Sequence, residues 1–204
     1  NDVLSPLHFE NDINIIDMGA GKGYLTFALY DYLKNTADKN PNVTGIELRP
    51  NLVEKCNNIA VQAGFDKLNF VEGSIQNAEI KEFDVLIALH ACDTATDDAI
   101  YRGIKANAEA IIVAPCCQKQ IRKQLKPTND LKAITQFGIL KERQAELLTD
   151  SLRALLLETQ GYKTKVFEFI STEHTPKNVL IVGTKKKKSK KEIDALKTQI
   201  ENIK

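Results

Sequence analysis

The stretch Ile13-Asn14-Ile15-Ile16-Asp17-Met18-Gly19-Ala20-Gly21-Lys22-Gly23-Tyr24-Leu25 changes character twice. A β-branched run ends at an acidic residue, breaks into alternating glycines, and resumes with apolar residues. Ile13, Ile15 and Ile16 have the composition of a strand buried on both faces, as central strands of parallel sheets are. After Gly23, residues Leu25, Ala28, Leu29, Tyr32 and Leu33 recur at helical spacing. The stretch therefore reads as strand, tight turn, helix. Glycine at the junction permits positive φ and lets a ligand approach the backbone, while the free N–H groups of the new helix point at that ligand. In a dinucleotide fingerprint the third glycine comes three positions after the second; here Gly23 follows Gly21 by two.

Working outward, Val43-Thr44-Gly45-Ile46-Glu47 reads as a second strand ending in a carboxylate, where nucleoside-binding α/β folds place the acceptor for ribose hydroxyls. Leu52, Val53, Cys56, Ile59 and Ala60 give the next helix one apolar face, and Leu68-Asn69-Phe70-Val71-Glu72 reads as a third strand before Gly73-Ser74-Ile75. Gly19-x-Gly21-x-Gly23 behind Asp17 resembles the first motif of class I S-adenosylmethionine-dependent methyltransferases. The resemblance implies a Rossmann-like α/β fold: a mostly parallel seven-stranded sheet, an antiparallel last strand, and helices on both faces. It also implies S-adenosylmethionine as cofactor, with Asp17 near its ammonium group and Gly19, Ala20, Gly21 and Gly23 along the loop. Glu47 falls at the ribose, Ser74 and Ile75 at the adenine, and Leu48 and His90 beside the cofactor. Ser74 stands where this class often has an acidic residue.

A second cluster follows. Phe83 to Leu89 and Ala110 to Ala114 read as fourth and fifth strands, ending in His90-Ala91-Cys92-Asp93-Thr94-Ala95-Thr96-Asp97 and Pro115-Cys116-Cys117-Gln118. Ligands of open α/β sheets bind beyond the carboxyl ends of strands, so these loops should face the methyl acceptor. They are similar to a methyltransferase branch that includes acceptor-stem tRNA 2′-O-methyltransferases and methyltransferase domains linked to glutathione-transferase-like domains. That branch has His-x-Cys-Gly-x-Ala-Thr-Asp, and Asp93 replaces its glycine. The resemblance implies RNA, with tRNA foremost, as substrate; a small-molecule methyltransferase and an inactive cofactor-binding scaffold are the alternatives. A hydroxyl acceptor needs a base, for which His90 and Asp93 are candidates. Cys116 and Cys117 are candidates for a covalent route through a thiolate. His90, Cys92, Cys116 and Cys117 have metal-ligand chemistry without the usual paired spacing, so no metal is expected.

The 204 residues fit one domain with a proper core, and four cysteines are too few for a disulfide framework. No apolar run approaches the roughly 20 residues of a membrane span, and the polar start is unlike a signal peptide, so a cytoplasmic protein without membrane contact is expected. Asn1 in place of methionine leaves room for an upstream domain. A helix over about 141–159 should bury Leu147, Leu148, Leu152, Leu155 and Leu156, with Arg143, Asp150 and Arg153 toward the substrate. Val166 to Ile170 and Asn178 to Gly183 read as a terminal antiparallel pair. Residues 1–184 thus form the domain, and 185–204 a lysine-rich tail with an amphipathic helix. Eight lysines against three acidic residues give this tail +5 and leave the rest at −4, which suits it equally to a solvated linker with a surface helix that pairs with another chain and to an arm for RNA phosphates.

Overall fold

The computed structural model describes residues 12–79, 82–89, 91–126, 129–169 and 177–203. Seven strands form one sheet in the order β3-β2-β1-β4-β5-β7-β6. They are β1 (Asp12–Met18), β2 (Asn40–Glu47), β3 (Leu68–Glu72), β4 (Val85–Ala88), β5 (Ala110–Val113), β6 (Tyr162–Glu168) and β7 (Val179–Lys185). β1 to β5 run parallel, while β7 lies antiparallel to both β5 and β6. The strand order reverses between β1 and β4, so a crevice opens at their carboxyl ends. The Rossmann-like expectation, with its antiparallel last strand, holds.

The helices are α1 (Tyr24–Asp31), α2 (Pro50–Gln62), α3 (Thr94–Lys105), α4 (Lys119–Gln124), α5 (Asn129–Thr135), α6 (Gly138–Thr159) and α7 (Lys190–Ile203); α1 runs on into a wide π-type turn over Tyr32–Thr36. Each sheet face has its own core. On one, Ile13, Ile15, Val85 and Ile112 pack with Tyr30 of α1 and Cys56 and Ala60 of α2. On the other, Ile16, Leu86, Ile111 and Ile181 pack with Ala99 and Ile100 of α3 and Leu157 of α6. Central strands buried on both sides explain the unbroken apolar runs. Gly45 is demanded by space, since a Cβ there would lie 2.5 Å from the Phe70 ring. The outer edge of β3 is partly closed by Asn57, whose amide donates to Phe70 O (2.8 Å) and accepts from Phe70 N–H (2.7 Å). That pairing blunts an otherwise open strand edge.

Three local expectations are corrected. α1 buries Thr26 and Tyr30 while Leu25 is 40% exposed, because its first turn faces the crevice. β2 begins at Asn40, three residues before the run from Val43 to Glu47 that reads as its strand. It pairs only with β1 there, leaving the Pro41 nitrogen without a ladder bond to miss. α6 starts at Gly138 and buries Ala145, Thr149, Asp150, Arg153 and Leu157, whereas Leu147 and Leu156 are exposed. A buried ion pair turns α6 away from its most leucine-rich face. Against α6 packs α7, its start closed by a capping box: Ser189 N–H donates to Glu192 (2.7 Å) and Glu192 N–H to Ser189 Oγ (3.3 Å).

Candidate active site

The glycine loop leaves β1 and turns onto the end of β2, where the N–H groups of Gly19 and Ala20 both donate to Ile46 O at 2.9 Å. Gly19, Gly21 and Gly23 have φ of 78°, 62° and 73°, a region costly to other residues. Gly23 is doubly constrained, because a Cβ would meet the Phe70 ring at 2.9 Å. Beside the loop lies a cavity of about 680 Å³ lined by Asp17, Gly19, Ala20, Gly21, Glu47, Leu48 and Ile75, together with Lys22, Tyr24, Leu25, Arg49, Leu89, Ala91, Cys92 and Ala95 among others. This size is ordinary for a cofactor pocket.

Its two carboxylates sit at different places. Asp17 is 4% exposed and accepts a hydrogen bond from Thr26 Oγ1 at 2.7 Å. Glu47 is 6% exposed and accepts Gly21 N–H (2.9 Å), Arg49 N–H (3.1 Å) and Arg49 Nε (2.7 Å). The Arg49 guanidinium holds the Glu47 carboxyl below its usual range, with the two backbone N–H groups adding and burial opposing. Two buried acidic groups separated by apolar walls (Ile46, Leu48, Ile75, Leu89) fit a ligand with an ammonium and a ribose joined to an apolar base. S-Adenosylmethionine has that sequence of groups: Asp17 would hold the ammonium, Glu47 the ribose, Leu48 and Ile75 the adenine. Gly23 and Ser74 are absent from the lining; Gly23 serves packing, and the Ser74 hydroxyl accepts Asn77 N–H (3.0 Å). His90 lies outside the described residues.

The acceptor side is built by the ends of β4 and β5. Asp93 has φ 56° and ψ −123°, a conformation that favours glycine, and its carboxylate accepts Gln120 N–H at 3.2 Å from α4. Behind it stands Arg153, 4% exposed. It makes a two-pronged pair with Asp97 (2.8 and 3.0 Å), donates to Asp150 (3.1 Å), and donates to Asp93 O (2.9 Å). Burial works against the Arg153 charge, but Asp97 and Asp150 outweigh it and its pKa stays raised. Asp150 is pushed up by burial despite Arg153. Thr96 completes the bracing by donating to Ala91 O. Ala95-Thr96-Asp97 is thus largely a device for shaping the loop, and Asp150 and Arg153 are buried supports instead of substrate-facing groups.

Cys92, Cys116 and Cys117 come together with their Sγ atoms all within 4.8 Å of one another. Cys92 reaches the cofactor cavity, while the other two are half-buried behind it. Burial, followed by the neighbouring thiols, pushes Cys116 up to about 12; Cys117 is also raised, chiefly by burial, although the Asp93 N–H bond to it works the other way. Both are held as thiols and lack the depressed pKa of a reactive nucleophile. Sequence reasoning missed Thr26, Arg49, Tyr24, Leu25 and Leu89 at this site. Only Arg49, two residues after the strand-end acid, carried a readable signal.

A family model described as a methyltransferase domain matches residues 3–124. The chain is 26% identical over 193 residues to a glutathione S-transferase C-terminal domain-containing protein of Homo sapiens, covering 83% of this chain and 29% of that protein. It therefore spans under a third of that relative's length. Among solved structures it is similar to the 23S rRNA methyltransferase ErmE, with TM-score 0.58, 14% identity, and 99% and 73% of the two chains covered. It is also similar to geranyl diphosphate C-methyltransferase from Streptomyces coelicolor A3(2), with TM-score 0.57, 10% identity, and 90% and 78% covered. At such identities these likenesses speak for the fold. With the family matched over most of the chain, the sheet order in place and a pocket of the right chemistry, this chain belongs to the methyltransferase domain family, and S-adenosylmethionine is its cofactor.

Proposed function

We propose that this domain methylates RNA, with a hydroxyl group of tRNA as the foremost acceptor. The observation that carries the reading is the segment after β5. Residues 119–143 hold seven Lys or Arg against two acidic residues, and the start of α4 is tied to the Asp93 loop through Gln120 N–H. Phe137, Ile134 and Ile139 are exposed on the same segment. A basic, partly apolar surface rooted at the acceptor loops suits a polynucleotide, whose phosphates need cations and whose bases need flat apolar contacts.

When bound, the cofactor supplies an electrophilic methyl group for in-line displacement. The chain's own work is to orient the acceptor and take its proton. Asp17 and Glu47 fix the cofactor's ends, and the braced Asp93 loop forms the wall against which the acceptor is aligned. His90, next in sequence after Leu89, is the proposed base. Asp93 is a weaker candidate, since its carboxylate already accepts Gln120 N–H. The raised thiols argue against covalent attack on a pyrimidine.

The lysine-rich tail leaves the sheet at the end opposite the pocket, where Lys185 pairs with Glu109 and Lys188 with Glu158. In this reading it adds affinity for a long RNA without positioning the acceptor.

The test is transfer of labelled methyl from S-adenosylmethionine to RNA, protein and small-molecule fractions, with Gly21→Arg as blank. Label in RNA, recovered as a ribose-methylated nucleoside, is expected. The triple variant Lys119→Gln, Lys123→Gln, Lys126→Gln should lower the slope of log affinity against log salt by about 2, at roughly 0.7 per phosphate contact on a single strand. Label confined to small molecules would overturn the reading.

A further inference from the structure

We propose that Cys92, Cys116 and Cys117 form a binding site for a thiophilic divalent cation of the zinc type, set between the cofactor pocket and the acceptor wall. Their sequence spacing gives no hint of this, because one ligand follows β4 and two adjacent ligands follow β5. The parallel pairing of β4 with β5 brings the two loops side by side. The sulfurs lie within 4.8 Å of one another. Three thiolates on a tetrahedral zinc sit about 3.8 Å apart, from bonds of about 2.3 Å, so closure asks at most about 1 Å of movement, within reach of χ1 adjustment. Soft thiolates select zinc or cuprous ions over magnesium or calcium.

Two further features suit a cation. The Asp93 N–H is directed at Cys117, and such N–H bonds orient and stabilise metal-bound thiolates as outer-shell partners do. The Asp93 loop is itself fastened by Arg153 and Thr96, so the ligand frame is rigid before any ion arrives. Cys92 is exposed and gives the ion a path from solvent. On binding, each S–H that becomes a ligand loses its proton to solvent as the S–metal bond forms. Among the described residues the cluster offers three ligand atoms, the number at which zinc sites keep a position for water or a substrate oxygen. The cation would then stand where it can hold an acceptor oxygen, a role separate from that of Asp17 and Glu47.

The site can be read with cobalt, which reports thiolate ligation by a sulfur-to-metal charge-transfer band. The reduced full chain is stripped of metal and titrated with Co²⁺, then with Zn²⁺ in competition. One equivalent of cobalt should develop the band, zinc should abolish it, and bound zinc should protect Cys92, Cys116 and Cys117 from alkylation as read by mass spectrometry. Cys92→Ser and Cys116→Ser should each weaken cobalt binding by more than the about 10- to 100-fold that loss of an outer-shell partner costs. S-Adenosylmethionine binding by calorimetry should persist in Cys116→Ser, whose thiol is not part of the cofactor-cavity lining, which certifies its fold and keeps this result distinct from the RNA-methylation reading. Absence of the band in the wild-type chain, or a band unchanged in Cys116→Ser, would overturn the proposal.

Discussion

Replacing Arg153 by Met removes the brace behind the acceptor loop while keeping a long apolar side chain in its place. The pair with Asp97 contributes about 1 kcal/mol or less, because the Asp97 side chain is 53% exposed and water can take over. The Asp93 carbonyl loses a charged donor, worth about 1–3 kcal/mol. Asp150 is the costly remnant. It is 5% exposed, and an isolated buried charge costs about 3–5 kcal/mol, a ceiling that protonation lowers. These contributions are not additive, and a net loss of about 4 kcal/mol is expected. At about 2–4 °C per kcal/mol for a chain of this size, Tm should fall by about 8–16 °C.

Urea unfolding followed by circular dichroism measures this directly, and a second substitution isolates the cause. Adding Asp150→Asn to Arg153→Met removes the stranded charge and should return about 2 kcal/mol. The sign with pH follows. Burial already raises the Asp150 pKa, and without Arg153 it rises further. A folded-state pKa above the unfolded one favours the fold below the unfolded value and loses that advantage as pH climbs, so the deficit of the single variant should shrink on acidification. A single variant that loses under about 1 kcal/mol, or a double variant no more stable than the single, would refute this account.

Two other outcomes are expected. Asp93→Gly should be more stable than Asp93→Ala by about 1–2 kcal/mol in the same unfolding assay, since both lose the bond to Gln120 but only glycine relieves the left-handed backbone. Arg49→Met should move the acid limb of cofactor binding to higher pH in a calorimetric pH series. Arg49 is the main cause of the lowered Glu47 pKa, so the ionised carboxylate survives to lower pH in the native chain; an unmoved limb would remove Arg49 from that role.

The parts legible in the sequence are those where backbone requirement and composition coincide. The glycines after β1 need positive φ, the strands are apolar throughout because both faces are covered, and Glu47 ends a strand beside the crevice. Strand pairing was not written in the spacing of Cys92, Cys116 and Cys117, because nothing local says which strand ends are neighbours. α6 was misjudged for a related reason. Its leucines suggested one face, yet Arg153 and Asp150 are drawn inward by Asp97 and Asp93, 56 and 60 residues earlier than Arg153. Arg49 escaped although it stands two residues after the strand-end acid, because that signal gains its meaning only once the carboxylate is seen to accept from it.

The position of β7 has a consequence for how the chain is made. β5 is buried on all four residues and needs a partner on each side, yet its outer partner arrives only with Ile181 to Thr184. During synthesis from the amino terminus, Ala110 to Val113 leave the ribosome long before that strand exists. At about 5–20 residues per second the β5 edge waits on the order of ten seconds, apolar and open to pairing with another chain. The nascent protein is most vulnerable to aggregation in that interval, and a chaperone that shields an extended apolar segment would act on it there.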